Sequence, residues 1–197
     1  MNDYELLIIN KGQIYFPSII DPVSWEDEIK GSPSKLTFKV VKGDKSNFQE
    51  GNIVRFRYKD NDIFYGYVFT KKRDKQHHIE VTAYDQMRYL KNKDTLLFEN
   101  KSATDVINQI AGINQIELGP IADTNIKMKT FTQRDTTYMD MIYSALDIVL
   151  TEQKKMYILY DDFGKLTLKN IEDLKVEDFI LSDENMENFN YTSSIDE

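Results

Sequence analysis

Between Ile79 and Phe98 the chain reads IEVTAYDQMRYLKNKDTLLF, which sets Tyr84, Asp85, Arg88 and Lys91 in one short segment. An aspartate among such neighbours can act as a general acid or base when its surroundings move its pKa toward neutrality. Acid pairs recur at Glu26/Glu28, Asp60/Asp62 and Asp161/Asp162. A glycosidase needs two carboxyl groups across a cleft, about 5–9 Å apart. Asp60 and Asp161-Asp162 stand in turn-forming sequence, where Asp bonds its own backbone. Glu26 and Glu28 would share one strand face, opposite Lys or Arg on a neighbouring strand. Turn and strand chemistry thus account for most of these acids.

His77 and His78 are the only histidines. Adjacent strand residues point to opposite faces, so one metal ion could not easily take both rings. The chain has no cysteine, which excludes disulfides, thiolate nucleophiles and Cys-based metal sites. No Walker loop, GxGxxG, GxSxG or HExxH motif occurs. The sequence therefore supplies no catalytic, cofactor-binding or metal-binding set. The aromatic run RFRYKDNDIFYGYVF offers either a stacking platform for sugars or bases, or plain core and interface side chains at Phe56, Phe64 and Tyr67.

The elements that must position these residues divide into two kinds. As far as Tyr84 the signals are those of strands. ELLIIN and GQIYFPS flank a turn at Asn10-Lys11-Gly12, WEDEI and SKLTFKVV flank a Gly/Pro loop, and three further strands follow. Ile53, Arg55 and Arg57 alternate with Val54, Phe56 and Tyr58, the period of a sheet with one wet face. Turns fall at Asp60-Asn61 and Arg73-Asp74-Lys75. Such closely spaced strands without a helix predict a small antiparallel barrel or sandwich.

After Leu96 the period becomes helical. Ser102 with Asp105 opens one helix as a capping-box-like pair and Gly112 stops it; Thr137 with Asp140 opens a second, which Lys154-Lys155 close. Two strands around Asp161-Asp162-Phe163-Gly164 make a hairpin, with Gly164 at positive φ. Tyr138, Met139 and Tyr143 lie beyond the apolar stripe of the second helix and suit an oligomer surface. The predicted fold is α+β: an antiparallel barrel over 1–95, then a small domain over 96–182 with two helices and a hairpin. The segment 183–197 reads as the start of a truncated second barrel.

Composition bounds the function. Of 197 residues 41% are hydrophobic, enough for a packed core, and 12 Tyr and 11 Phe suit half-buried strands. No apolar run approaches a membrane helix and the start carries no signal-peptide pattern, so neither a membrane anchor nor export is expected. A formal charge of −8 opposes general nucleic-acid binding.

Several stretches together resemble the XkdQ/YqbQ-like proteins of phage and defective-phage tails: GNIVRF, VTAYDQMRYLKNKDT, ENKSATDVI, GPIADTN, MDMIYSALDIVLTEQKKMYILYDDFGKLTL and YTSSID. The match is much weaker before Trp25. The family is similar in role to phage late control protein D and to the hub protein of contractile tails. The resemblance implies a non-enzymatic baseplate hub, trimeric at full length, that adapts the tail tube to the spike. It also implies contacts with tape-measure and LysM-type baseplate proteins, assembly in the bacterial cytoplasm and a place in the virion baseplate or in a bacteriocin. A tail-associated peptidoglycan hydrolase and a carbohydrate-binding barrel are the rival readings. For the 79–98 segment the expectation is a domain junction. Asp85 would cap a short helical turn that packs Tyr84, Met87 and Leu90 against the barrel mouth.

Overall fold

Alternation of apolar and polar residues builds the first half of the chain. The computed structural model describes residues 3–20, 22–41, 43 and 48–175, so the segment 183–197 lies outside the described residues. Seven strands form one sheet: β1 (Tyr4–Asn10), β2 (Gln13–Tyr15), β3 (Ser24–Glu26), β4 (Lys35–Val41), β5 (Ile53–Tyr58), β6 (Asn61–Arg73) and β7 (His78–Tyr84). Their order across the sheet is β2-β1-β5-β6-β7-β4-β3, and every pairing is antiparallel. Leu6 and Ile8, Leu36, Phe38 and Val40, Val54, Phe64 and Val68, and Val81 and Ala83 point to one face and form a single buried cluster with Phe48. A sheet that fills its own concave face in this way must curl.

Curling stops short of the expected closed barrel. Among the described residues no ladder joins β2 to β3, so the sheet keeps two edges. The edges are nevertheless near each other. Tyr15 pairs with Ile8 on β1, while Ile19 bridges to Val40 on β4 at the opposite end of the strand order. The steps from Tyr15 to Ile19 can span at most about 14 Å. The chain itself, through Phe16-Pro17, crosses the seam that a ladder would have closed.

Three local expectations shift. Lys59 (φ 47°) and Asp60 (φ 63°) make the turn placed at Asp60-Asn61, because Asn61 already pairs with Tyr58. Lys11 (φ 47°) and Gly12 (φ 80°) form the same kind of two-residue turn, whose twist matches that of the strands it joins. The strand predicted over WEDEI ends at Glu26, so Glu28 shares no strand face with it.

The second half begins with a 3-10 turn (Gln86–Lys91). It continues through β8 (Lys93–Phe98), α1 (Ala103–Asn114), β9 (Leu118–Ile121), β10 (Phe131–Thr137), α2 (Tyr138–Gln153), β11 (Tyr157–Asp161), β12 (Leu166–Asn170) and a short 3-10 turn (Ile171–Leu174). The whole is a mixed α/β fold dominated by sheet. β8 and β10 form a two-stranded ribbon, and β9 adds in parallel to the predicted β11–β12 hairpin. Val106, Ile107 and Ile110 of α1 meet Met141, Ile142, Ala145, Leu146 and Val149 of α2 over Phe98, Leu159, Leu166 and Leu168. Burying each large side chain of that stripe contributes about 1.5–3 kcal/mol.

Both helix starts follow the sequence. Ser102 Oγ accepts from Asp105 N–H (3.1 Å) and Asp105 Oδ2 accepts from Ser102 N–H (2.9 Å), a complete capping box. Ser102→Ala should lower the free energy of urea unfolding by about 1–2 kcal/mol; a loss below a few tenths would show that α1 does not depend on this cap. The helix ends differ. Gly112 is an exposed interior residue, and α1 runs on to Asn114 before Gln115 turns left-handed (φ 55°). Lys154 (φ 58°) takes that role after α2, and no basic residue stands in the last turn of that helix.

Candidate functional site

Tyr84 ends β7 at its pairing with Tyr67, and there the chain leaves the sheet. Asp85, 1% exposed, is the N-cap of the 3-10 turn. Its Oδ1 accepts from Met87 N–H (2.9 Å) and its Oδ2 from Ser34 N–H (2.8 Å). Asp85 N–H in turn donates to Ser34 carbonyl (3.2 Å). One side chain therefore ties the end of the sheet, the loop before β4 and the first turn of the second unit. Burial pushes its carboxyl up to about 8, helped by Asp161 and opposed by the two amide bonds.

Asp161 closes the strand β11 beside this corner. Its Oδ1 accepts from Gly164 N–H (2.6 Å), whereas Oδ2 is buried with no partner. Burial raises its carboxyl to about 6, with the Gly164 N–H bond acting against the rise and Asp162 and Asp27 adding to it. Phe163, at the hairpin tip, lies edge-on to Tyr65 (centroids 5.6 Å) beneath the guanidinium groups of Arg55 (5.2 Å) and Arg57 (5.7 Å). The space between is a polar cleft of about 280 Å³ lined by Tyr65, Tyr67, Gln86, Gln115, Glu117 and Lys165. On the far side, Tyr143 Oη accepts from Gly31 N–H (3.1 Å), Lys91 Nζ donates to Gly31 carbonyl, and Lys30 pairs with Asp147 (3.8 Å). Besides the Asp85 corner, the α+β unit is held to the sheet by the loop around Gly31 and by the hairpin tip.

This geometry is poor for hydrolysis. Both Asp85 oxygens are spent on backbone amides inside the protein, and no substrate reaches them. Among the described residues no group of three or more acidic or histidine side chains is placed to hold a metal ion.

The profile of the YQBQ-like family matches residues 23–197, nearly nine-tenths of the chain. The chain belongs to the YQBQ-like family. It is 31% identical over 98% of its length to protein YqbQ of Bacillus subtilis strain 168, and 31% identical over the same share to the phage-like element PBSX protein XkdQ of that strain. It spans 60% and 61% of those two relatives. The 43 kDa tail protein of prophage MuSo2 from Shewanella oneidensis shares the fold at TM-score 0.69 and 13% identity, over 84% of this chain and 53% of its own. The prophage tail protein gp18 of Listeria monocytogenes shares it at TM-score 0.56 and 16% identity, over 93% of this chain and 56% of its own.

In the YQBQ-like chain the residues singled out by sequence take mostly internal roles. Phe64, 2% exposed, fills the curled sheet and offers no stacking face to a sugar. Tyr67 is half-buried between Tyr65 (6.3 Å) and Tyr89 (6.1 Å). Tyr84 lies edge-on to Phe69 (5.4 Å), with Arg88 over both rings. Met87 and Leu90, expected against the barrel mouth, belong instead to the α+β core. Tyr138 and Met139 are buried, Tyr138 donating to Asp94 Oδ2 (2.7 Å), and Tyr143 serves the Gly31 contact, so this helix face is occupied within the chain. Glu26 meets Lys35 (3.1 Å), Asp62 meets Arg57 (2.5 Å) and His78 meets Asp74 (3.1 Å).

Sequence reasoning missed Asp161 as a buried group, along with Arg55 and Phe163. The hairpin's turn signal masked which of its two acids faces inward. Alternation along YILYD, with Leu159 buried, does place Asp161 on the inner face.

Proposed function

We propose that the chain is the N-terminal part of a structural hub protein of a phage tail, or of a prophage- or bacteriocin-derived tail-like particle. The observation that carries this reading is membership of a family whose relatives include a phage-element protein, joined to a fold shared with two prophage tail proteins. Residues 1–95 and 96–182 act as a barrel-like domain and an α+β insertion. At full length the protein forms a homotrimer whose ring joins tail tube to spike, with tape-measure and LysM-type baseplate proteins as neighbours. It is assembled in the host cytoplasm and carried in the virion baseplate. The role is mechanical and not enzymatic, and the amide-bound Asp85 supports that side of the reading. A net charge of −8 suits a conduit wall that lets DNA pass without adhesion.

Mass measurement in solution tests this, on the chain alone and mixed with tube and spike proteins of one particle. A defined complex with either is the expected result. A strict monomer that binds neither, or loss of cell-wall turbidity that depends on Asp85, would overturn it.

A further inference from the structure

Alternation carries three aromatic side chains past the end of the sheet's core. Tyr4 stands two residues before the buried Leu6, Tyr58 stands two after Phe56, and the two pair across β1 and β5. Trp25 pairs with Leu36, whose side chain is core, so it faces the same way. These positions continue the inner face, yet Tyr4, Tyr58 and Trp25 are 41%, 43% and 45% exposed. With Val23, Phe56 and Ile63 they wall an open cup of about 510 Å³ at the mouth of the curled sheet. Ligand pockets run from about 300 to 1,000 Å³, and barrel mouths are a common place for them. Apart from the Tyr hydroxyls and the Trp25 indole N–H the lining side chains are apolar, so a sugar's hydroxyls would find few partners. A second hollow shares Tyr4 and Ile19 with the cup and brings charge to its lip. Asp3, Glu5 and Asp60 line it, and among the described residues none of the three has an ion-pair partner. Arg57, on the same wall, is spent on Asp62 (2.5 Å), and Lys59 Nζ lies over the Tyr58 ring (5.2 Å).

We propose that this mouth is a docking cup for a segment of a partner protein that carries large apolar side chains flanked by Lys or Arg. The apolar side chains cover Tyr4, Trp25 and Tyr58, which the fold turns inward but leaves wet. The flanking cations meet Asp3, Glu5 and Asp60, so the negative lip selects among apolar segments that the floor alone would accept equally. The cup stands apart from the hub reading, since a hub with an empty cup still binds tube or spike through other surfaces.

Trp25 is the only tryptophan of the chain, so its fluorescence reports on the cup directly. The whole chain is titrated with three short synthetic peptides of equal length, alternating phenylalanine with lysine, phenylalanine with glutamate, and serine with lysine. The phenylalanine–lysine peptide should give a saturable shift of Trp25 emission to shorter wavelength. The phenylalanine–glutamate peptide should bind at least about tenfold more weakly, a difference of about 1.4 kcal/mol, and the serine–lysine peptide should give no shift. Tyr58→Ser should weaken the first peptide by removing a wall. Asp3→Asn combined with Glu5→Gln, on exposed side chains that leave the walls intact, should bring the first two peptides closer in affinity. No saturable shift with the first peptide overturns the proposal, as does equal binding of the first two to the wild type. A Trp25 shift that grows with the chain's own concentration, without peptide, would assign the cup to a second copy and also overturn it. If Tyr58→Ser does not fold, the wild-type titrations and the charge variant still decide.

Discussion

Gly66→Ala should yield a chain that is insoluble or fails to unfold cooperatively. Gly66 sits in β6 opposite Val54, beside the place where β7 leaves the sheet. A Cβ there would stand 2.3 Å from the Tyr84 carbonyl oxygen, 2.6 Å from the Phe64 ring and 2.7 Å from the Tyr84 carbonyl carbon. Two of these three atoms are backbone and cannot swing aside. Moving Tyr84 would pull Asp85 off Ser34, and moving Phe64 would open the core of the curled sheet. Overpacking a core typically costs about 1–3 kcal/mol even where side chains can adjust. Here the obstacle is main chain, so the loss should exceed that range. Soluble expression with thermal unfolding within a few degrees of wild type would show that the corner can relax and that this close approach is unimportant.

Stability should be greatest close to the ordinary carboxylate value of 3.8 and fall on the alkaline side, with Asp85 as the largest cause. The folded chain binds the Asp85 proton more tightly than the unfolded one, whose carboxyl has the ordinary value of 3.8. The stabilisation is complete below that value and is lost progressively as pH rises toward 8. Each tenfold difference in proton affinity is worth about 1.4 kcal/mol, so Asp85 and Asp161 together make the chain several kcal/mol less stable at pH 8.5 than at pH 5. Asp105 works in the opposite sense. The Ser102 N–H bond holds its carboxyl down, so its contribution is present at higher pH and lost as pH falls. Asp94, held down by the Tyr138 hydroxyl, behaves likewise.

Asp85→Ala sharpens the test. It strands the Ser34 and Met87 amides, each costing about 1–3 kcal/mol if left unmet, but removes the group that must ionise. The variant should therefore be weaker than wild type at pH 5 and nearer to it at pH 8.5. Urea unfolding at both values measures the two slopes. Parallel slopes in wild type and variant would rule out Asp85 as the titrating group.

Elements set by local chemistry were legible in the sequence. Ser102, Thr137 and Asp85 cap the turns expected of them because a cap needs only its own neighbouring amides. The Lys11-Gly12 turn and the Ile79, Val81 and Ala83 face follow from short-range periodicity. Contacts between distant segments were harder. Nothing near Tyr143 in sequence announces that Gly31 will meet it, so an amphipathic overlap looked like an outer face. Sheet closure was overread for a similar reason, since alternation gives the face of each strand but not whether the first and last will pair. Asp161 fell between these cases: its burial follows from register, but its turn-forming neighbours hid it.

The path of residues Tyr15 to Ile19 across the seam also bears on assembly. Exposed strand edges invite other chains to add a strand of their own. Here both terminal strands are three residues long, and β4 is flanked along its outer side by β3 and by the bridge at Ile19. The protein joins its own edges with its own backbone, and the outer side of β1 from Tyr4 to Leu7 is the stretch that β2 leaves uncovered. A second chain that met this sheet would then read mainly its side chains, and that guards the fold against runaway strand addition.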